Sequence, residues 1–401
     1  MIFFQLFTTA FMSIFYGVVI TTAVRVLNPL KIVLMKRILF YLTFVAALIT
    51  SCDNKSESSI EKEMASGVVL IQNQSYYEVE LSNGESLYFA GFDEDGDIVG
   101  LTADKDSVSL SNGFGTGFFV SENGEIVTNA HVVSSTRTEK DINKSIAAVI
   151  ESVKKQVAEQ YYALGEKLEQ AQALYNEANY SDAYSMDDFN RIREYRDAIQ
   201  SQREEYADTY NGLSDIRPSE SEVRYHNRVS IAYNNTFVTS NSDFSSCVVL
   251  KVDHEHDLAV IQLKDKKTPE GKYIFEVPDD DPLEDYSFTE SIAKFFGSDK
   301  NDKLFLTGFN RGPSLAQTKD GIKAQFNMGT VSQRASDQIM YSIPALPGSS
   351  GSAVVNHKGQ LVAINYAGVS TTQSFNYGIR VKYLKSLMKN LASGMDDDDD
   401  F

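Results

Sequence analysis

Serine, histidine and aspartate occur at three places in this 401-residue sequence where their types would suit acyl transfer. The serines lie in Gly348-Ser349-Ser350-Gly351-Ser352, within the stretch YSIPALPGSSGSAVVNHKGQLVAINYAG that runs from Tyr341 to Gly368. A serine nucleophile needs its hydroxyl carried on a tight turn, with backbone N–H groups beside it to receive the oxyanion of a tetrahedral intermediate. Glycine on both sides of the serine pair permits such a turn, because glycine adopts backbone angles that other residues resist. Taken alone, the stretch also reads as a surface hairpin, with strands at Ala353–Val355 and Leu361–Tyr366 around a turn at Asn356–Gly359. Upstream, His131 sits in the run TNAHVV and Asp257 in HDLAVI. The chain order is therefore His, Asp, Ser, matching a base, an orienting carboxylate and a nucleophile. On residue type alone Ser349, Ser350 and Ser352 all qualify as the nucleophile. His131 also reads as a packed histidine and Asp257 as a surface carboxylate.

TNAHVV, HDLAVI and PGSSGSAV together resemble the three signature segments of the trypsin-like serine peptidases, and are most similar to the bacterial HtrA/Deg-like branch. Subtilisin-like and α/β-hydrolase sites order the same roles differently. The resemblance implies a mainly β fold of two six-stranded-type antiparallel barrels, chymotrypsin-like. It implies catalytic roles for His131, Asp257 and Ser350, the last chosen because it aligns with the family's G-x-S-G pattern. The backbone N–H groups of Gly348 and Ser350 would form the oxyanion hole. The base of the S1 pocket would lie six residues before the nucleophile, at Pro344, with Ile364, Asn365 and Tyr366 forming a wall. No acidic residue stands at that base, so the expected P1 residue is small or medium and apolar, not Arg or Lys. Ser349 stands where digestive members carry an Asp that pairs with a newly cut N-terminus, so activation by that route is not expected. Nor is the PDZ domain that members of this branch usually carry. The resemblance calls for no cofactor.

The elements that must position these residues are legible as short strands. Val68–Ile71 is apolar. Tyr76–Leu81 and Leu87–Phe92 flank Asn83-Gly84, a strong hairpin signal. Asp93–Asp97 reads as a solvated turn, since an EF-hand would need a distal Glu to close it. Gly113, Gly115 and Gly117 lack a βαβ context and fit a strand entry, not a dinucleotide loop. Asp253-His254-Glu255-His256-Asp257 invites a metal reading, because alternate strand residues share a face. No further histidine pair or cysteine cluster completes a zinc shell, so no metal is expected.

After His131 the period changes. Ile146, Ile150, Val153, Val157, Tyr161, Leu164, Leu168, Ala171 and Tyr175 recur at three-four spacing, which predicts an amphipathic helix over Asp141–Ala178. Ser185-Met186-Asp187-Asp188 resembles a capping box that opens a second helix, ended near Gly212 and Pro218. An antiparallel, coiled-coil-like hairpin is thus expected over residues 138–217, inserted in the first barrel (65–137 and 218–282). Its apolar stripes would pack on the barrel or on a second copy in a homo-oligomer. The second barrel and a closing helix are expected over 283–391, followed by an acidic tail at 392–401.

Met35–Cys52 has a Lys36-Arg37 n-region, an apolar core from Ile38 to Ile49 and small residues before Cys52. That is the layout of a secretory signal, and it resembles a lipoprotein signal in which Cys52 becomes the lipidated first residue. Residues 1–34 include the apolar run Ile2–Val24 and are read as lying upstream of a true start at Met35. A Ser/Asn/Glu/Lys-rich tether is expected over 53–64. Net charge is −18, with four basic residues and no acidic one in the first 51. So acidic a body should repel nucleic acid, and no basic stripe is present. The expected protein is a lipid-anchored serine endopeptidase of the bacterial envelope, acting on protein or peptide substrates. The rival reading is a catalytically silent peptidase-fold scaffold that binds a partner through its hairpin.

Overall fold

The computed structural model describes residues 55–284, 302–368 and 375–395. Its first helix, α1 (Glu57–Gly67), occupies most of the stretch expected to be a flexible tether. Ile60 and Met64, one helical turn apart, are each 1% exposed in the core. Two well-placed apolar residues in a polar segment suffice to dock a helix that composition alone reads as solvated.

The first barrel contains β1 (Val68–Glu80), β2 (Ser86–Phe89), the ribbon β3–β4 (Gly91–Phe92 and Ile98–Val99), β5 (Ser111–Phe119), β6 (Glu125–Thr128), β7 (Glu222–Tyr233), β8 (Ser245–Asp253) and β9 (Leu258–Leu263). The ring runs β1-β5-β6-β9-β8-β7 and closes through β1–β7 pairing. β1 serves two neighbours along one edge: Val68–Ser75 pair with β5 and Tyr77–Glu80 with β2. Its other edge pairs with β7 continuously from Val69 to Glu80. The second barrel is formed by β10 (Lys303–Gly308), β13 (Gln325–Arg334), β14 (Gln338–Tyr341), β15 (Ala353–Asn356), β16 (Leu361–Gly368) and β17 (Asn376–Arg380). It closes in the order β10-β13-β14-β17-β16-β15, and β11 (Gln317–Thr318) pairs with β12 (Gly321–Ile322) outside it. Both rings are six-stranded and antiparallel, as expected of a chymotrypsin-like fold.

The apolar runs follow from this two-barrel plan. On β1, Val69 and Ile71 fill the first barrel, while Val68 and Leu70 face a core shared by the two barrels. On β15, Val354 fills the second barrel, while Ala353 and Val355 join the shared core. Strands buried on both faces lose the apolar–polar alternation of a half-exposed sheet. The serine turn lies just ahead of β15 and the histidine just after β6, so both are carried at the rim of this shared core.

Between α2 (Ala130–Val133) and β7 stand two long helices, α3 (Glu139–Tyr180) and α4 (Met186–Asp215). Thr138 caps α3 by accepting from the Asp141 N–H, and Ser185 with Asp188 forms the capping box of α4. Ile142, Ile146 and Ile150 pack on Tyr77, Val79, Leu81 and Phe89 of the first barrel. The helix base therefore rests on the barrel. At about 1.5 Å per residue α3 is about 63 Å long, so its far half extends beyond that contact. There Leu164, Ala171 and Ile199 hold the two helices together, with Arg196 stacked 4.1 Å over Tyr175 and Arg203 4.1 Å over Tyr161.

The closing helix α6 (Val381–Met395) follows a short α5 (Pro313–Ala316) and buries Leu384 and Leu387 in the shared core. Cys247 is buried, and burial pushes its thiol up to about 12, so it acts as a packing group and not a nucleophile. Among the described residues no helix is long and apolar enough to cross a membrane. The signal segment with Cys52 and the Asp396–Asp400 tail lie outside the described residues.

Candidate active site

His131 lies in α2, a single turn that starts after β6 with Asn129 as its N-cap residue. Asp257 closes the β8–β9 connection with φ of 51°, a left-handed backbone that Asp and Asn tolerate better than most residues. The two meet twice. The His131 main-chain N–H donates to Asp257 Oδ1 at 2.9 Å, and His131 Nδ1 lies 2.7 Å from Asp257 Oδ2. A carboxylate only accepts, so the proton of a neutral His131 ring sits on Nδ1 and Nε2 is left as the acceptor. Asn129 Nδ2 donates to the Asp257 carbonyl at 2.9 Å and fixes the loop itself.

Residues 254–257 form a turn, so His254 and His256 do not share a strand face. His256 Nδ1 lies 2.8 Å from Asp253 Oδ2, and its ring stacks on Tyr383 of α6 with centroids 4.0 Å apart. The acidic–histidine cluster thus ties the Asp257 loop to the closing helix.

The serine turn is set by hydrogen bonds from three of its peptide groups. The N–H groups of Ser349, Gly351 and Ser352 donate to Leu346 O, Asn365 O and Ser349 O, at 2.9, 2.8 and 3.1 Å. Among the described residues, the N–H groups of Gly348 and Ser350 donate to no protein acceptor. These are the two amides that the resemblance implies for an oxyanion hole. Gly348 has φ of 99°, and a Cβ there would lie 2.6 Å from both Gly312 N and Phe309 O. Ser349 is 1% exposed, with its hydroxyl donating to Leu346 O at 2.7 Å. Ser352 is fully buried. Of the three only Ser350 is partly exposed, and its hydroxyl has no hydrogen-bond partner among the described residues.

Thr116, which sequence reasoning passed over, fastens this turn to the first barrel. Its N–H donates to Ser350 O at 2.8 Å, and its hydroxyl donates to Gly348 O at 2.9 Å while accepting from Phe309 N at 2.9 Å. Its carbonyl accepts from Thr128 Oγ1 at 2.8 Å. Thr128 precedes His131 by three residues, so one short chain of bonds links the serine turn to the histidine segment. The only sequence signal for it was Gly115-Thr116-Gly117, read as a strand entry.

The residues expected to line an S1 pocket separate. Pro344 is exposed, and its carbonyl accepts from Asn327 Nδ2 at 3.2 Å. Ile364 is fully buried in the shared core, opposite Ala353. The Asn365 side chain turns away from any wall and binds Ser349. Tyr366 is partly buried; burial raises its phenol, and the carboxylates of Asp337 and Asp257 add to that. Only Pro344 and Tyr366 therefore keep surface that a bound peptide can reach. The difference arises because β16 is buried on both faces at this point, with Ile364 in the shared core and Asn365 against the serine turn.

Residues 216–364 match the family described as trypsin-like peptidase domain. The matched span holds Asp257 and Ser350 but starts where α4 has ended. His131 follows a strand of the same barrel and lies ahead of α3 and α4, outside the matched span. Among solved structures, a serine endoprotease from Yersinia pestis is similar at 12% identity and a TM-score of 0.39, over 84% of this chain and 66% of that one.

Proposed function

We propose that this peptidase-domain protein is a serine endopeptidase that works through His131, Asp257 and Ser350. The observation that carries this reading is the pair of hydrogen bonds between Asp257 and His131, one through the ring and one through the main chain, with an unengaged Ser350 hydroxyl on a turn docked to the strand pair that leads into His131. In the proposed reaction Ser350 Oγ attacks the scissile carbonyl and its proton passes to His131 Nε2. Asp257 stabilises the imidazolium. The oxyanion accepts from the Gly348 and Ser350 amides, each worth on the order of 3 kcal/mol. Collapse expels the amine, which takes the proton from His131, and leaves an acyl ester on Ser350. Water activated by His131 then hydrolyses that ester. With no acidic residue at Pro344, the P1 side chain is small or medium and apolar.

Labelling the full-length protein with a fluorophosphonate probe tests the assignment. Wild type should take one label, on Ser350, and Ser350→Ala none. Equal labelling of the variant, or folded wild type that stays unlabelled, would overturn it. The second outcome would leave the peptidase-fold binding module that uses the α3–α4 hairpin.

The Met35–Cys52 layout supports a lipid anchor in the bacterial envelope. Cells fed a clickable fatty acid should incorporate it into wild type and not into Cys52→Ala, and incorporation in both would reject the anchor.

A further inference from the structure

We infer that Asn365 is the positioning residue that aims the Ser350 amide at the developing oxyanion, an inference that rests on the serine-peptidase reading of the turn. The Ser350 N–H shares a peptide plane with the Ser349 carbonyl. In a planar trans peptide these two groups point in opposite directions, so whatever holds the carbonyl sets the N–H. Asn365 Nδ2 donates to Ser349 O at 3.0 Å, and Ser352 N donates to the same oxygen at 3.1 Å. Nδ2 also lies 3.2 Å from Ser349 Oγ. The main chain of Asn365 adds two more bonds to the turn, accepting from Gly351 N at 2.8 Å and donating to Ser352 O at 2.9 Å.

The side chain is itself held in one orientation. Asn365 is 2% exposed, and Tyr341, fully buried, donates its hydroxyl to Asn365 Oδ1 at 2.6 Å. A flipped amide would set Oδ1 against the Ser349 carbonyl, acceptor against acceptor. The chain Tyr341 → Asn365 → Ser349 O thus fixes a peptide plane in a dry environment, where reorientation during reaction would be costly. The other oxyanion amide, that of Gly348, has no side chain in this role, because Arg311 N holds its partner carbonyl, Pro347 O, at 2.6 Å. Asn365 is therefore the side chain through which the oxyanion site can be altered without touching substrate.

The test uses the full-length protein and three probes of one sequence: a peptidyl p-nitroanilide with valine at P1, the matching peptide boronate and the matching peptide amide. Asn365→Leu keeps bulk and removes the donor. Its kcat and boronate affinity should fall together, on the order of 10- to 100-fold, with KM and peptide-amide affinity within about twofold. Tyr341→Phe should shift the same pair of quantities in the same direction by a smaller factor, and it carries the test if Asn365→Leu does not fold. A variant that keeps kcat within about threefold, or that loses boronate and peptide-amide affinity equally, overturns the inference. Wild type that neither labels nor cleaves would instead remove the reading beneath it.

Discussion

Asp257→Asn is expected to lower kcat by about 10⁴-fold while the protein stays folded. The native carboxylate accepts twice, from the His131 main-chain N–H at 2.9 Å and at the ring Nδ1 at 2.7 Å. An asparagine can accept only through Oδ1. If Oδ1 keeps the main-chain bond, Nδ2 faces the ring and donates to Nδ1. The ring then carries its proton on Nε2 and cannot take one from Ser350. The backbone does not complicate the comparison, because asparagine tolerates the φ of 51° as aspartate does. Steady-state kinetics on the p-nitroanilide, beside a thermal melt, would check this. A folded variant within tenfold of wild type would rule out Asp257 as the orienting carboxylate.

Gly351→Ala should also be damaging, for a steric reason. Gly351 has φ of 86°, and a Cβ there would lie 2.1 Å from Thr116 O and 2.4 Å from Thr128 Oγ1. Neither neighbour is free to withdraw. Thr116 O accepts from Thr128 Oγ1, and both threonines are fully buried. The turn must move away from β5 and β6, breaking the Thr116 N–H bond to Ser350 O at 2.8 Å. Overpacking of a rigid contact combined with a strained φ costs roughly 3 kcal/mol. Fluorophosphonate labelling should fall at least about 100-fold, since a displacement of ~1 Å is enough for such a loss. Denaturant unfolding and labelling rate measure the two effects separately. Unchanged labelling would mean that the turn does not depend on this docking.

The Thr116 and Asn365 contacts explain how two barrels make one site. Thr116 holds the serine turn from the first barrel, and Asn365 holds it from the second. The α3–α4 hairpin starts after a five-residue link from α2 and returns as β7, yet its base packs on β1 and β2. A long insertion between sheet strands is tolerated when its ends stay close, because loop closure costs only slowly more with length. The histidine can therefore lie far in sequence from the matched span and still meet Asp257.

The sequence by itself determined the local parts. Short apolar runs flanked by turn residues marked strands, three-four spacing from Ile146 to Tyr175 marked a helix, Ser185 and Asp188 marked its partner's cap, and the glycines around Ser349-Ser350 marked the turn. Those signals are short-range: each depends on residues within a few positions of one another. Only the tertiary structure decided which neighbours those parts meet. Glu57–Gly67 became a docked helix because a core was present to receive Ile60 and Met64. Asn365 changed from a pocket wall to a support of the serine turn because β16 pairs with β15 in a register that faces it toward Ser349. Thr116 carried no sequence signal of its role, since it acts through partners more than 190 residues away. Such contacts are set by how the closed barrels abut, and residue type and spacing along the chain do not encode that separately.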